Sequence, residues 1–164
     1  MPPIAVGHGR TKVLIARESP LGADLSLLMA RHTADMRADT PPESCHMMDA
    51  AQLAIPEVQF FVGRIASRAV AMGAIKDLGA GHAEVKSMHV LAEHRGKGLS
   101  RAMLDYLVTA AKASGYSRLS LETGSQDMFE PARQLYQRSG FTLCPPFEGY
   151  ALDPNSVYMT RALA

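Results

Sequence analysis

The chain alternates short apolar runs of strand character with longer stretches in which apolar side chains recur every three or four residues. Val13-Leu14-Ile15-Ala16, bounded by charged residues, predicts a first strand. Ser19-Pro20 supplies an N-cap and a first-turn proline, and Leu21, Leu25, Leu28, Met29, His32 and Met36 repeat at helical spacing to about Ala38. Thr40-Pro41-Pro42-Glu43-Ser44 stops that helix, because paired prolines remove backbone donors and push the residue before each away from helical geometry. A shorter helix is expected over 47–54. Residues 58–62 and 69–75, joined by a turn near 66–68, read as an antiparallel pair, and 77–81 as the next turn. Residues 83–91 form a fourth strand. The next helix carries Leu99, Met103, Leu104, Leu107, Val108 and Ala111 on one face and closes at Gly115. A strand over 119–123, a helix over 131–139 closed by Gly140, and strands over 141–144 and 157–160 complete the order β-α-α-β-β-β-α-β-α-β-β. No repeat or linker divides the chain, so residues 1–164 read as one α/β (α+β) domain with a loose N-terminus over 1–10.

Composition narrows the class. Apolar residues make up 47% and charged residues 20%, an ordinary globular balance that excludes disordered and fibrous chains. The net charge of +1, with no run of five like charges, gives no footprint for nucleic acid. Cys45 and Cys144 belong to no cysteine framework and are expected as buried thiols in a reducing compartment. Residues 1–17 lack the apolar core of a signal peptide, and no 18-residue apolar run suggests a membrane span. The expected location is therefore cytoplasmic, with no membrane partner. The six histidines lack His-Glu-x-x-His spacing and Cys45-His46 has no second ligand pair, so no metal is expected. Gly124-Ser125 lacks the nucleophile elbow of serine hydrolases. His32 is expected as a hydrogen-bonded core histidine, and Met29, Met36, Met47, Met48, Met72, Met88, Met103 and Met128 as gap-filling core.

The informative stretch begins where the fourth strand ends. Arg95-Gly96-Lys97-Gly98 turns tightly into the amphipathic helix, so free backbone N–H groups and the positive end of the helix dipole converge on one spot. Such a site suits a pyrophosphate, although glycines before a helix also occur for conformational reasons alone. The third glycine of a dinucleotide fingerprint would fall at Arg101, and the Walker spacing is absent, so NAD and ATP folds are disfavoured.

Val90-Leu91-Ala92-Glu93-His94-Arg95-Gly96-Lys97-Gly98-Leu99-Ser100-Arg101-Ala102-Met103-Leu104 resembles the acetyl-CoA signature of GNAT acetyltransferases, Arg/Gln-x-x-Gly-x-Gly/Ala, through Arg95, Gly98 and the small residue Ser100. Ala132, Leu135-Tyr136 and Gly140-Phe141 are similar to the family's late-helix pattern. The resemblance implies a mixed, mostly antiparallel sheet of six to seven strands with about four helices on both faces. It implies acetyl-CoA as cosubstrate, with Arg95, Gly96, Lys97, Gly98, Leu99 and Ser100 at the pyrophosphate and Met88, His89 and Val90 along the pantetheine arm. It also implies that an N–H near Val90 meets the developing oxyanion and that Tyr136 protonates the departing thiolate. Direct transfer to a primary amine in a ternary complex needs a base; Glu84 is the first candidate and Glu122 the second, with ion pairing to Lys86 or Arg118 as the alternative role for each. Many relatives carry asparagine where this chain has Phe129, so a polar contact to the pantetheine arm is either missing or supplied by Ser125 or Gln126. The acceptor is a small-molecule or protein amine, with Glu43, Glu148, His46 and Tyr150 as candidate contacts. A strand near Tyr158 could pair across a homodimer. The rival is a non-catalytic acyl-CoA-binding sensor or partner-binding domain on the same fold.

Overall fold

The computed structural model describes residues 1–8 and 11–163. One eight-stranded sheet runs in the order β1-β2-β3-β4-β5-β6-β8-β7. Its strands are β1 (Ile4–His8), β2 (Thr11–Arg17), β3 (Val58–Ile65), β4 (Arg68–Gly79), β5 (His82–Val90), β6 (Arg118–Gly124), β7 (Thr142–Leu143) and β8 (Ser156–Ala162). The helices are α1 (Ser26–Ala38), α2 (Ala50–Leu53), α3 (Leu99–Ala113) and α4 (Glu130–Arg138). Every neighbouring pair is antiparallel except β5 with β6. This is the expected mixed α/β sheet with one strand more than six to seven.

The added strand lies in the segment expected to be loose. β1 pairs antiparallel with β2, from Ile4 opposite Ile15 onward, and the Tyr106 hydroxyl donates to the Pro2 carbonyl at 3.2 Å. Neither tie is local, so neither could be read from residues 1–10; Gly9 and Arg10 lie outside the described residues. Helix α1 starts later than expected. Ser19 Oγ accepts from Leu21 N without capping a helix, and Leu21 is exposed. Arg64 bonds Glu18 at 2.7 Å and Asp24 at 2.5 Å, which holds the connecting loop out until a single 3-10 turn at Ala23–Leu25 leads into α1.

Helices cover both faces of the sheet. On one, Met103 and Leu107 of α3 close over Gly73, where a Cβ would approach Leu107 Cδ1 to 3.0 Å. On the other, His32 of α1 packs edge to face on His89 of β5, centroids 5.3 Å apart. Apolar side chains from β2 to β6 and from α3 form the core, with Phe60, Phe61, Met72, Met103 and Leu104 fully enclosed. Three expectations are corrected. Cys45 and Cys144 are half-buried. Met128 is exposed, and Met36 and Met47 line a cavity described below. Strand β8 is flanked by β6 and β7, and Tyr158 O accepts from Cys144 N at 2.9 Å, so Tyr158 does not lie on a free sheet edge.

Candidate active site

The site is made by two neighbouring strands that part. β5 and β6 pair in parallel only from His82 opposite Arg118 to Val85 opposite Leu121, although both continue beyond. The divergence coincides with a β-bulge. The register between β4 and β5 slips across Gly73, where Ser87 adopts φ 55°, and such bulges bend a strand and re-aim its side chains. Leu91 N donates to Val70 O at 2.9 Å. By the alternation of antiparallel pairing, Val90 turns its own N–H and C=O the other way, into the gap left by β6.

A cleft of about 560 Å³ opens from that gap between the end of β5, the start of α3 and helix α4. Among the described residues, no backbone N–H from Gly96 to Arg101 has a protein acceptor; the first helical bond is Ala102 N to Gly98 O. Gly96 and Gly98 take φ 74° and 84°, which side chains disfavour, and nothing lies within 4 Å of where a Cβ would stand. The turn therefore presents a row of free donors at a helix N-terminus, open to an anion. Lys97 is exposed beside it. Arg95 is placed differently from a simple phosphate ligand: Nε donates to Val90 O at 2.9 Å and Nη2 to Asp35 at 2.8 Å. Along the arm of the cleft, His89 is buried with Nε2 lacking any partner. Burial, then the neighbouring charges, holds both His32 and His89 down to about 4, so both rings are neutral at pH 7.

A second cavity of about 110 Å³ lies on the β6 side of the gap. His32, Met36, Met88, Phe129, Ala132 and Tyr136 belong to both walls, so the cavities meet there. Glu84, one residue before the strands part, is buried and accepts from the Tyr150 hydroxyl at 2.7 Å. Lys86 Nζ stands 3.5 Å from Glu84 and donates to Tyr150 Oη at 3.0 Å and to His46 O at 2.9 Å. The ion pair weighed for Glu84 is thus present, with Lys86, whereas Arg118 donates to Thr160. Glu122, one residue past Leu121, lines the cavity, has no salt bridge among the described residues, and has its pKa raised by burial. Tyr136 is buried, and burial pushes its hydroxyl up to about 12, so it keeps its proton at any physiological pH.

Of the sequence candidates, Glu84, Glu122, Tyr136, His46 and Tyr150 converge on this cavity. Met88, His89, Val90 and the turn residues 95–100 converge on the cleft, all except Lys97 as lining residues. Glu43 and Glu148 are exposed and line neither. Ser125 is committed to Pro154 O at 2.6 Å. Gln126 bonds Asn155 at 3.4 Å and buries Oε1 unpaired. Phe129 has a definite seat, because its ring lies where a Cβ on Gly124 would come within 2.1 Å. The contact missing from the sequence reading is the Tyr150 hydroxyl that joins Glu84 and Lys86. Its partners stand up to 66 positions apart, and the one local sign is that Glu84 and Lys86 fall on the same face of a strand. Among the described residues no cluster of His, Cys, Asp or Glu could hold a metal, and no helix is long and apolar enough to cross a membrane.

The comparisons agree with this geometry. The family described as Acetyltransferase (GNAT) family matches residues 28–141. An uncharacterized N-acetyltransferase of Bacillus subtilis is 42% identical over 142 residues, covering 87% of this chain and 94% of its own length. The IAA acetyltransferase of Azospirillum brasilense is 38% identical over 156 residues, covering 92% and 98%. Among solved structures, the paiA N-acetyltransferase of Thermoplasma acidophilum in complex with coenzyme A shares the fold at a TM-score of 0.72, with 14% identity over 92% of this chain and 98% of that one. A donor-rich turn, a cleft beside two parting strands and these matches lead to one conclusion: the chain belongs to the GNAT family of acetyltransferases, and it is an acyltransferase.

Proposed function

We propose that the chain is an N-acetyltransferase that moves the acetyl group of acetyl-CoA to a primary amine by direct attack, with both substrates bound together. The observation that carries this reading is the meeting of two cavities at one shared wall, one ending at unpaired amides and the other at carboxylates. The amides of 96–101 hold the pyrophosphate, with Lys97 adding charge and Arg95 sharing its bonds to Val90 and Asp35. Val90 directs its N–H at the carbonyl oxygen of the reacting group. Acetyl-CoA supplies an activated thioester.

The chain's own groups then move two protons. A carboxylate of the smaller cavity, Glu122 or Glu84, takes one from the substrate ammonium, because an alkylamine of pKa about 10 is no nucleophile while protonated. Tyr136 gives its hydroxyl proton to the departing sulfur. Burial keeps that proton on the hydroxyl at neutral pH, so Tyr136 enters the reaction in its protonated form.

Thiol release with acetyl-CoA and a pool of primary amines, followed by the mass of the product, tests the reading. The expected result is an acetylated amine and, with acetyl-CoA alone, protein of unchanged mass. A covalently acetylated protein would contradict direct attack. Binding of acetyl-CoA without turnover on any amine would favour a sensor.

A further inference from the structure

Two carboxylates face the acceptor cavity, and the structure treats them differently. Glu84 is 3% exposed, and Oε2 is occupied by the Tyr150 hydroxyl with Lys86 Nζ close by. Its charge is balanced within the protein. Glu122 lines the same cavity without a salt bridge among the described residues, the one lysine of that lining, Lys86, being held by Glu84 and Tyr150, and burial without a paired cation is costly for a carboxylate. A ligand bringing one positive charge would offset that cost.

The walls restrict what else the ligand carries. Met36, Met47, Leu121, Phe129 and Ala132 are apolar, and the volume of about 110 Å³ is below the roughly 150 Å³ of an apolar cavity that takes up benzene. A second ammonium would find Glu84 already neutralised and would meet Lys86. The outer end is bridged as well: Lys86 ties down His46 O, and Ser44 Oγ donates to Asp153 at 2.5 Å and accepts from Asn155 Nδ2 at 3.4 Å. These bonds tie the segment after α1 to β5 and to the loop before β8.

We propose that the acceptor is a compact primary monoamine with an apolar body, and that Glu122 receives its ammonium group and takes its proton. This deepens the acetyltransferase reading and rests on it. In the transfer, Glu122 takes the first proton of the ammonium, the new C–N bond forms as the C–S bond breaks, Tyr136 protonates the leaving sulfur, the second N–H proton passes back to the Tyr136 phenolate, and Glu122 returns its proton to solvent. Glu84, Lys86 and Tyr150 hold the wall.

The test uses the full chain, acetyl-CoA and an acceptor panel: ethylamine, propylamine and butylamine against spermidine, an aminoglycoside and a lysine-containing peptide. The monoamines are expected to have the higher kcat/KM by on the order of 10²-fold. Preference for the polycations or the peptide would overturn the inference while leaving an acetyltransferase; acetylation of butanol but of no amine would overturn the parent reading with it. In Glu122→Gln, kcat/KM for butylamine should fall by on the order of 10²-fold, whereas 2,2,2-trifluoroethylamine, which is mostly neutral at pH 7 and brings no ammonium, should lose far less. The melting shift produced by acetyl-CoA should persist in this variant, showing that it folds and binds. An equal loss on butylamine and trifluoroethylamine, or no loss on either, would overturn the role of Glu122.

Discussion

At the residue scale, one hydroxyl and one carboxylate have environments matched to opposite proton transfers. Burial raises the Tyr136 hydroxyl to about 12 and so keeps its proton in place, while it raises the Glu122 carboxyl above its ordinary value with no salt bridge among the described residues to offset it. Tyr136→Phe removes the acid without changing the ring's packing on Phe141, whose centroid lies 6.0 Å away. The expected outcome is a fall in kcat on the order of 10²-fold with acetyl-CoA binding retained; unchanged kcat would assign the thiolate's proton to water. Lys86→Met tests the other network. It strips the cation from a buried carboxylate and frees His46 O, so the melting temperature should drop by the equivalent of about 3 kcal/mol.

At the element scale, the decisive feature is that β5 and β6 stop pairing at Val85 and Leu121 while both run on. Phe129 then fills the notch beside Gly124, where even a methyl group would collide with the ring. Gly124→Ala should therefore cost about 1–3 kcal/mol in urea unfolding and weaken acetyl-CoA binding, because Phe129 lines the cleft. A variant as stable as the parent would show that the ring moves aside at little cost.

Much of this layout was legible in the sequence. The Gly96-Lys97-Gly98 turn, the stripe of α3 and the Leu135-Tyr136 pair are local signals, and each lies where its motif placed it. The bulge at Ser87 was not legible, because a lone residue at positive φ is selected by the register of β4 and leaves no mark in composition. The six-residue delay in α1 was hidden for a related reason. Ser19-Pro20 is a sound start signal that loses to Arg64, reaching in from β3 to hold Glu18 and Asp24. Tyr150 looked like a loop aromatic, since nothing nearby announces the carboxylate it bonds across the fold.

At the scale of the whole molecule, α1 and β5 meet through two neutral histidines whose pKa values fall from the ordinary 6.5 to about 4, first through burial. Between those values the unfolded chain binds more protons than the folded one, so the pair's stabilisation is complete above pH 6.5 and is lost as pH falls toward 4. His82, lowered chiefly by burial, acts in the same direction. Melting temperature should thus decline from pH 6.5 to 5, above the range in which most carboxylates titrate, and His32→Leu should flatten that slope. A wild-type melting point constant across this interval would contradict the neutral, buried pair.

All of the chemistry depends on the cleft between β5, α3 and α4 holding acyl-CoA, and thermal melting tests that most directly, with acetyl-CoA, CoA, ATP and NADH compared in parallel. A ligand at ~100 times its Kd adds ~2.7 kcal/mol of stability, which for a domain of this size raises the melting point by roughly 5–11 °C. The structure predicts that rise with acetyl-CoA and CoA, and its loss when Gly98→Val places a branched side chain at the positive-φ turn. No rise with either thiol cofactor, or an equal rise with ATP and NADH, would contradict it.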